Sequence, residues 1–261
     1  FQPAGAGWGG DALIYIETLK PLEKIRTMVY LEPRGIGHSQ RVDHPHAYAM
    51  KEYVEDLEAL RRYLQIPKID LAGHSHGGFI ALLYSIHYPE NIERLLLFDT
   101  TPHTLLGDYP NWLKKRKGYK EVVSALRKLE ENKDLTEDEK ERAVLKILLP
   151  IIHFSNWNKV SSQVNEILEK MVVSSEPHNY YSTKDVHSYD VREFLGDITV
   201  PTLIVTGEEE MPHIAIGSKI LYNQMPNAIL AIIKNCGHWP MLESPEEFFR
   251  NVLAFLTESY R

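Results

Sequence analysis

The chain of 261 residues holds a single cysteine, Cys236. One thiol cannot close an internal disulfide, which fits a reducing compartment. No uninterrupted apolar run approaches the ~18 residues of a membrane span, and no stretch reads as a signal peptide with its cleavage site. The expected location is cytoplasmic, with no membrane partner. An excess of basic residues is also missing. The formal charge is -7, which argues against nucleic acid as a main partner. There is no internal repeat, low-complexity tract or long linker, and no initiating methionine, so the natural chain is expected to start before Phe1.

What is present is an ordinary globular composition, with 43% hydrophobic and 25% charged residues. The length accommodates one large α/β domain, or one domain carrying an insertion.

The organising stretch is Ile69-Asp70-Leu71-Ala72-Gly73-His74-Ser75-His76-Gly77-Gly78-Phe79-Ile80-Ala81-Leu82-Leu83. An apolar run of strand length enters Gly-x-Ser-x-Gly and a run of helical length leaves it, so Ser75 sits on a strand-to-helix turn, a nucleophile elbow. Glycine is needed because the turn is strained and side chains at 73 and 77 would collide with the adjoining strand and helix. The turn also puts Ser75 at a helix N-terminus, where N–H groups such as that of His76 can stabilise a developing oxyanion.

The remainder alternates around this turn. Phe1 to Gly10 is a glycine-rich loop without the lysine and hydroxyl of a phosphate-binding loop. Asp11 to Lys24 is helix-like, and Arg26 to Leu31 reads as a buried strand. Val54, Leu57, Leu60 and Leu64 recur at helical spacing before Pro67. Arg94 to Thr100 is a second continuous strand. Strand, helix, strand, helix implies a parallel sheet covered on both faces. Between His103 and Gly196 the pattern becomes three helices, Val122 to Leu129, Thr136 to Ile152 and Val160 to Val173, with Thr136 and Glu139 forming a capping box. His153, Trp157, His178, Tyr180 and Tyr181 read individually as core aromatics or surface histidines, with pocket-lining as the alternative. The alternation resumes at Pro201 to Gly207 and Ala228 to Ile233. Ser244, Pro245 and Glu247 open the last helix, whose buried face is Phe248, Val252, Phe255 and Leu256.

A serine hydroxyl needs a base, and the base an acid, to attack a carbonyl at neutral pH. In a parallel sheet such groups gather at the carboxyl ends of strands. Ser75 follows one strand, Glu208-Glu209-Glu210 another and His238 the last. With this order, the elbow, Arg34-Gly35-Ile36-Gly37-His38-Ser39, and Gly237-His238-Trp239 followed by Glu243-Ser244-Pro245-Glu246, the chain resembles the α/β-hydrolase fold family, whose triad runs serine, acid, histidine. The resemblance implies a mostly parallel sheet with helices on both faces, a core of residues 1–102 and 197–261, and an inserted helical cap over 103–196. It implies Ser75 as nucleophile, His238 as general base and Glu210 as acid, with Glu208, Glu209 and Asp99 as alternatives. It implies oxyanion donors at His76 and Ala4, the latter because Pro3 has no N–H. Strands that the family places before this loop are expected to precede Phe1.

These features predict a cofactor-free serine hydrolase of a small ester, lactone, thioester or amide, acting on a small-molecule substrate. The Pro33-Arg34-Gly35 connection weakly resembles proline iminopeptidases, for which Glu166, Glu169 or Glu176 would hold the substrate amine. Carbon–carbon bond hydrolysis and a non-enzymatic small-molecule binding protein are the other readings. A metal site built on His74 and His76 is disfavoured, because no Asp-His follows to supply further ligands. Oligomeric state is not encoded legibly.

Overall fold

The computed structural model describes Phe1 and residues 7–257. Four apolar runs form parallel strands, β1 (Ile69–His74), β2 (Ile92–Phe98), β3 (Thr202–Gly207) and β4 (Ala228–Ile233), hydrogen-bonded in that order. The register pairs His74 with Phe98, Phe98 with Val205, and Gly207 with Ile233. All four carboxyl ends therefore face one edge, and the loops that leave them can share a site.

Alternate side chains of the central strands feed two cores. Leu95, Leu97 and Ile204 pack with Val54, Leu57, Phe79, Ile80 and Leu221, contributed by α2 (Met50–Tyr63), α3 (His76–His87) and α9 (Pro212–Gln224). Leu96, Phe98, Leu203 and Val205 pack instead with Phe248 and Val252 of α11 (Pro245–Thr257). This two-sided burial explains why the strands read as continuous apolar runs rather than alternating ones. The expected α2 face is shorter than its pattern, since Leu64 lies past the helix end and is 40% exposed.

Two local expectations are corrected. Arg26 to Leu31 is extended but is not a strand, and its side chains are only partly buried. A strand requires a ladder, and the pairing here is with Phe1, whose N–H donates to Val29 O at 2.6 Å and whose carbonyl accepts from Leu31 N–H at 3.2 Å. Asp11 to Lys24 divides into α1 (Leu13–Thr18) and a 3-10 turn over Lys20–Lys24, because Pro21 has no N–H with which to continue the helix.

Between β2 and β3 lie five α-helices: α4 (Tyr109–Lys115), α5 (Tyr119–Glu131), α6 (Glu137–Ile152), α7 (Trp157–Lys170) and α8 (Ser175–Thr183). The three expected patterns correspond to α5, α6 and α7. The other two span only 7 and 9 residues, too few turns to display an apolar period. The capping box on α6 forms, with Glu139 N–H donating to Thr136 Oγ1 and Thr136 N–H to Glu139 Oε2. Leu145, Leu149, Val164 and Leu168 of this insertion join Trp8, Trp239 and Phe248 in one apolar cluster. Helices α6 and α7 are thus packed into the core.

Candidate active site

Ser75 has φ 53 and ψ -122, between His74 at the end of β1 and His76 at the start of α3. A non-glycine residue in this region is strained by about 1–3 kcal/mol and persists only where its surroundings over-determine it. They do so here: Ser75 N–H donates to Phe98 O at 2.9 Å, and its carbonyl accepts from Thr100 Oγ1 at 2.8 Å and Gly78 N–H at 2.9 Å. A Cβ on Gly73 would lie 2.4 Å from Gly77 O, and one on Gly78 would lie 2.4 Å from Thr100 Oγ1. Position 78, not singled out from the sequence, is thus as constrained as 73. Asp99 and Asn235, beyond the ends of β2 and β4, also have positive φ.

His238 is 2% exposed and is held on three sides. Its Nδ1–H donates to Glu210 Oε2 at 2.6 Å, which leaves Nε2 as the nitrogen available for chemistry. Its backbone N–H donates to His153 O at 2.7 Å. Its carbonyl accepts from His74 Nε2–H at 2.7 Å, and His74 Nδ1 in turn accepts from the Tyr15 hydroxyl at 2.8 Å. Because a carbonyl only accepts, the tautomer of His74 is fixed by this chain of contacts. Burial pushes His238 down to about 3, so the resting imidazole is neutral, the form a general base requires. Burial likewise holds His74 and His153 well below the usual histidine range.

Of the four carboxylates weighed as partner for this histidine, Glu210 is the one in contact. Glu208 and Glu209 are exposed. Asp99 is fully buried behind Glu210, where its Oδ1 accepts from Gly207 N–H at 2.9 Å. Atoms of Asp99, Glu210 and His238 lie within 4.8 Å of one another. Burial raises both carboxyls above the ordinary range, and the neighbouring Glu210 raises Asp99 further. Two buried carboxyls this close do not both ionise, so the pair retains a proton, and Asp99 is the member that keeps it.

Ser75 and His238 line the same cavity of about 160 Å³, with Gly7, Trp8, Phe79, Thr101, His153, Tyr181 and His213 among its walls. His153 and Tyr181 therefore face the cavity, contrary to the core-or-surface reading preferred for each from sequence. Trp157 packs on Phe154, His178 lies against Glu141, and Tyr180 against His46. A larger cavity of about 280 Å³ lies between β1 and the 26–31 segment, and contains none of Ser75, Glu210 and His238. Size alone is therefore a poor guide to the chemistry.

The carboxylates weighed as amine holders are engaged elsewhere. Glu166 pairs with Lys170 and Glu169 with Lys146, each at 2.7 Å on the surface. Glu176 accepts from the Tyr48 hydroxyl at 2.9 Å. Besides Asp99, Glu210 and His238, the described residues bring Asp11, Glu32 and His38 within metal-ligand reach of one another. Those two carboxylates already accept N–H groups from Leu13, Val172, Ala12 and His38, so they act as loop anchors. His76, expected to donate its backbone N–H, is the first residue of α3. Ala4, the other expected oxyanion donor, lies outside the described residues. Sequence reading also missed Tyr15 and the structural use of His74, whose only signal was its place before Ser75.

The alpha/beta hydrolase fold family matches residues 6–245. A proline iminopeptidase of Lactobacillus crispatus is 28% identical over 269 residues, covering 97% of this chain and 88% of that protein. A solved alpha/beta fold family hydrolase from Bacillus anthracis superposes with a TM-score of 0.74 at 24% identity, over 91% of this chain and 85% of that one. An enol-lactonase from Burkholderia xenovorans does so with a TM-score of 0.72 at 19% identity, over 96% and 88%. No described helix is long and apolar enough to cross a membrane. A family match over most of the chain, a parallel sheet wrapped by helices and a serine on its strained turn lead to one assignment: the chain belongs to the alpha/beta hydrolase fold family.

Proposed function

We propose that the protein is a serine hydrolase that cleaves a small ester or lactone through an acyl-serine intermediate, without a cofactor. The observation that carries this reading is the strained Ser75, which opens on the same cavity as a neutral His238 whose other ring nitrogen is held by Glu210. Ser75 Oγ adds to the substrate carbonyl as His238 Nε2 takes its proton. Glu210 stabilises the resulting imidazolium. The N–H of His76, at the start of α3, and that of Ala4, the second donor expected from the sequence, receive the oxyanion. Collapse expels the leaving alcohol, which takes the proton from His238. Water, activated by the same histidine, then releases the acid and regenerates Ser75. Helices α4 to α8 serve as the cap that closes the cavity, and about 160 Å³ suits a small acyl group.

The test is labelling with a fluorophosphonate probe, with the adduct located by peptide mass spectrometry. Rapid modification of Ser75 that is lost in Ser75→Ala and His238→Ala supports the reading. An unreactive Ser75 in folded protein refutes it and turns attention to a binding protein of the same fold.

The relatives' names support a second reading, a prolyl aminopeptidase using the same Ser75, His238 and Glu210. The surface ion pairs of Glu166 and Glu169 count against them as its amine-holding groups. Comparing turnover of p-nitrophenyl acetate with that of proline p-nitroanilide separates the two readings. The second is adopted if the anilide is the better substrate.

A further inference from the structure

Glu243 is the last residue of the four-residue α10 (Pro240–Glu243) and is 1% exposed. Its carboxylate holds two segments at once. Oε2 accepts from Gly237 N–H at 2.7 Å, immediately before His238. Oε1 accepts from Ser155 N–H and Asn156 N–H, each at 2.9 Å, at the N-terminus of the 14-residue α7. The first turn of α7 contains no acidic residue, and Asn156 makes no side-chain cap, so Glu243 supplies the negative charge that this helix end favours. The Lys159 ammonium adds a bond to the Glu243 carbonyl.

The approach is tight. A Cβ on Gly237 would lie 2.7 Å from His153 O, 3.1 Å from Ser155 N and 3.3 Å from Glu243 Oε2. Ser155 Oγ donates to Asn235 O at 3.0 Å, and His153 O accepts the N–H of His238 itself. The 153–156 turn between α6 and α7 is thereby stitched to the 235–238 loop, with the buried carboxylate at the centre. Arg116 braces the same turn through the carbonyls of Ile151 and Phe154.

We infer that Glu243 is a positioning residue that locks the loop carrying His238 to the helical insertion, so that the insertion sets the placement of the general base as well as covering the substrate. The inference rests on the role proposed for His238. It assigns no contact between Glu243 and substrate. A carboxylate suits the task because three N–H groups converge on its two oxygens, whereas an amide in the same place would turn an NH2 toward one of those donors.

Glu243→Gln and Glu243→Ala separate positioning from folding. The first readout is backbone amide exchange under native conditions. In Glu243→Ala, the amides of Gly237, Ser155 and Asn156 are expected to exchange roughly 10- to 100-fold faster, with core strand amides unchanged. The second is fluorophosphonate acylation, with reactive sites counted by titration. The rate per reactive Ser75 should fall roughly 10- to 100-fold, while KM for an ester stays within about threefold. A full per-site rate with fewer reactive sites would mean that Glu243 serves folding only, and would overturn the inference. So would unchanged exchange at Gly237. If wild-type Ser75 is unreactive, the hydrolase reading fails, and with it the catalytic use of this lock; the exchange experiment still reports whether the lock exists.

Discussion

The Nε2–H of His74 meets the carbonyl oxygen of His238 at 2.7 Å, so the residue before the elbow serine holds the backbone of the histidine that shares its cavity. Neither ring nitrogen of His74 is left for chemistry, since Tyr15 occupies the other. His74→Phe leaves the Tyr15 hydroxyl and the His238 carbonyl without these partners in a dry environment. The expected cost is about 1–3 kcal/mol of stability by urea unfolding, with a fall of roughly tenfold or more in ester turnover.

The two buried carboxyls near His238 should respond differently to amidation. Glu210→Gln removes the charge that orients and stabilises the imidazolium, and turnover should drop by roughly 10³–10⁴. Asp99→Asn should stay within about tenfold of wild type, because an amide N–H replaces the hydroxyl of a protonated carboxyl facing Glu210. Steady-state ester hydrolysis on the two variants decides this; a reversed order would make Asp99 the working acid.

Gly73→Ala should be severely destabilising, by about 3 kcal/mol or more, because its Cβ would meet backbone at Gly77 O, which cannot swing away. Gly196→Ala provides the control, since nothing lies within 4 Å of its Cβ and its φ is not positive. Thermal melts of the pair should differ by about 6–12 °C or more; equal melting points would contradict the tight elbow.

Stability should depend on pH in two opposing windows. The buried His238 sits at about 3 in the folded chain against 6.5 when unfolded. Its contribution is present above pH 6.5 and is lost as pH falls toward 3, with a slope of up to about 1.4 kcal/mol per pH unit. The buried carboxyl pair behaves oppositely: burial raises both members above their unfolded values, so the proton the pair retains contributes stability that is present in acid and lost as pH rises through the raised range. Chemical denaturation across this range should show His238→Gln flattening the acid slope and Asp99→Asn flattening the opposing one. Unchanged slopes in both variants would refute the burial argument.

The four strand segments, the elbow and the places of Ser75, Glu210 and His238 after their strands are legible because each is written locally, as an apolar run followed by its turn residues. The pairing of Glu210 rather than Glu208 or Glu209 was inferable only through family resemblance; three adjacent glutamates differ in burial, which depends on how the turn after β3 folds. Arg26 to Leu31 misled because apolar composition specifies a wish to be buried, not a hydrogen-bonding neighbour. Glu243 and His153 were invisible as positioning groups, since the contacts that join the two segments are to backbone atoms far away in the chain, and backbone atoms leave no mark in a sequence.

The three-way grip on His238 also limits what can be exchanged between relatives. A helical insertion transplanted from another protein would have to present a carbonyl where His153 places its own, and two consecutive N–H groups where Ser155 and Asn156 place theirs. The rest of its sequence would be free to change with the substrate. Substrate range and catalytic competence are therefore inherited through different parts of the same segment: the walls of the cavity can diversify, while three residues at one bend, His153, Ser155 and Asn156, keep the graft compatible with its host.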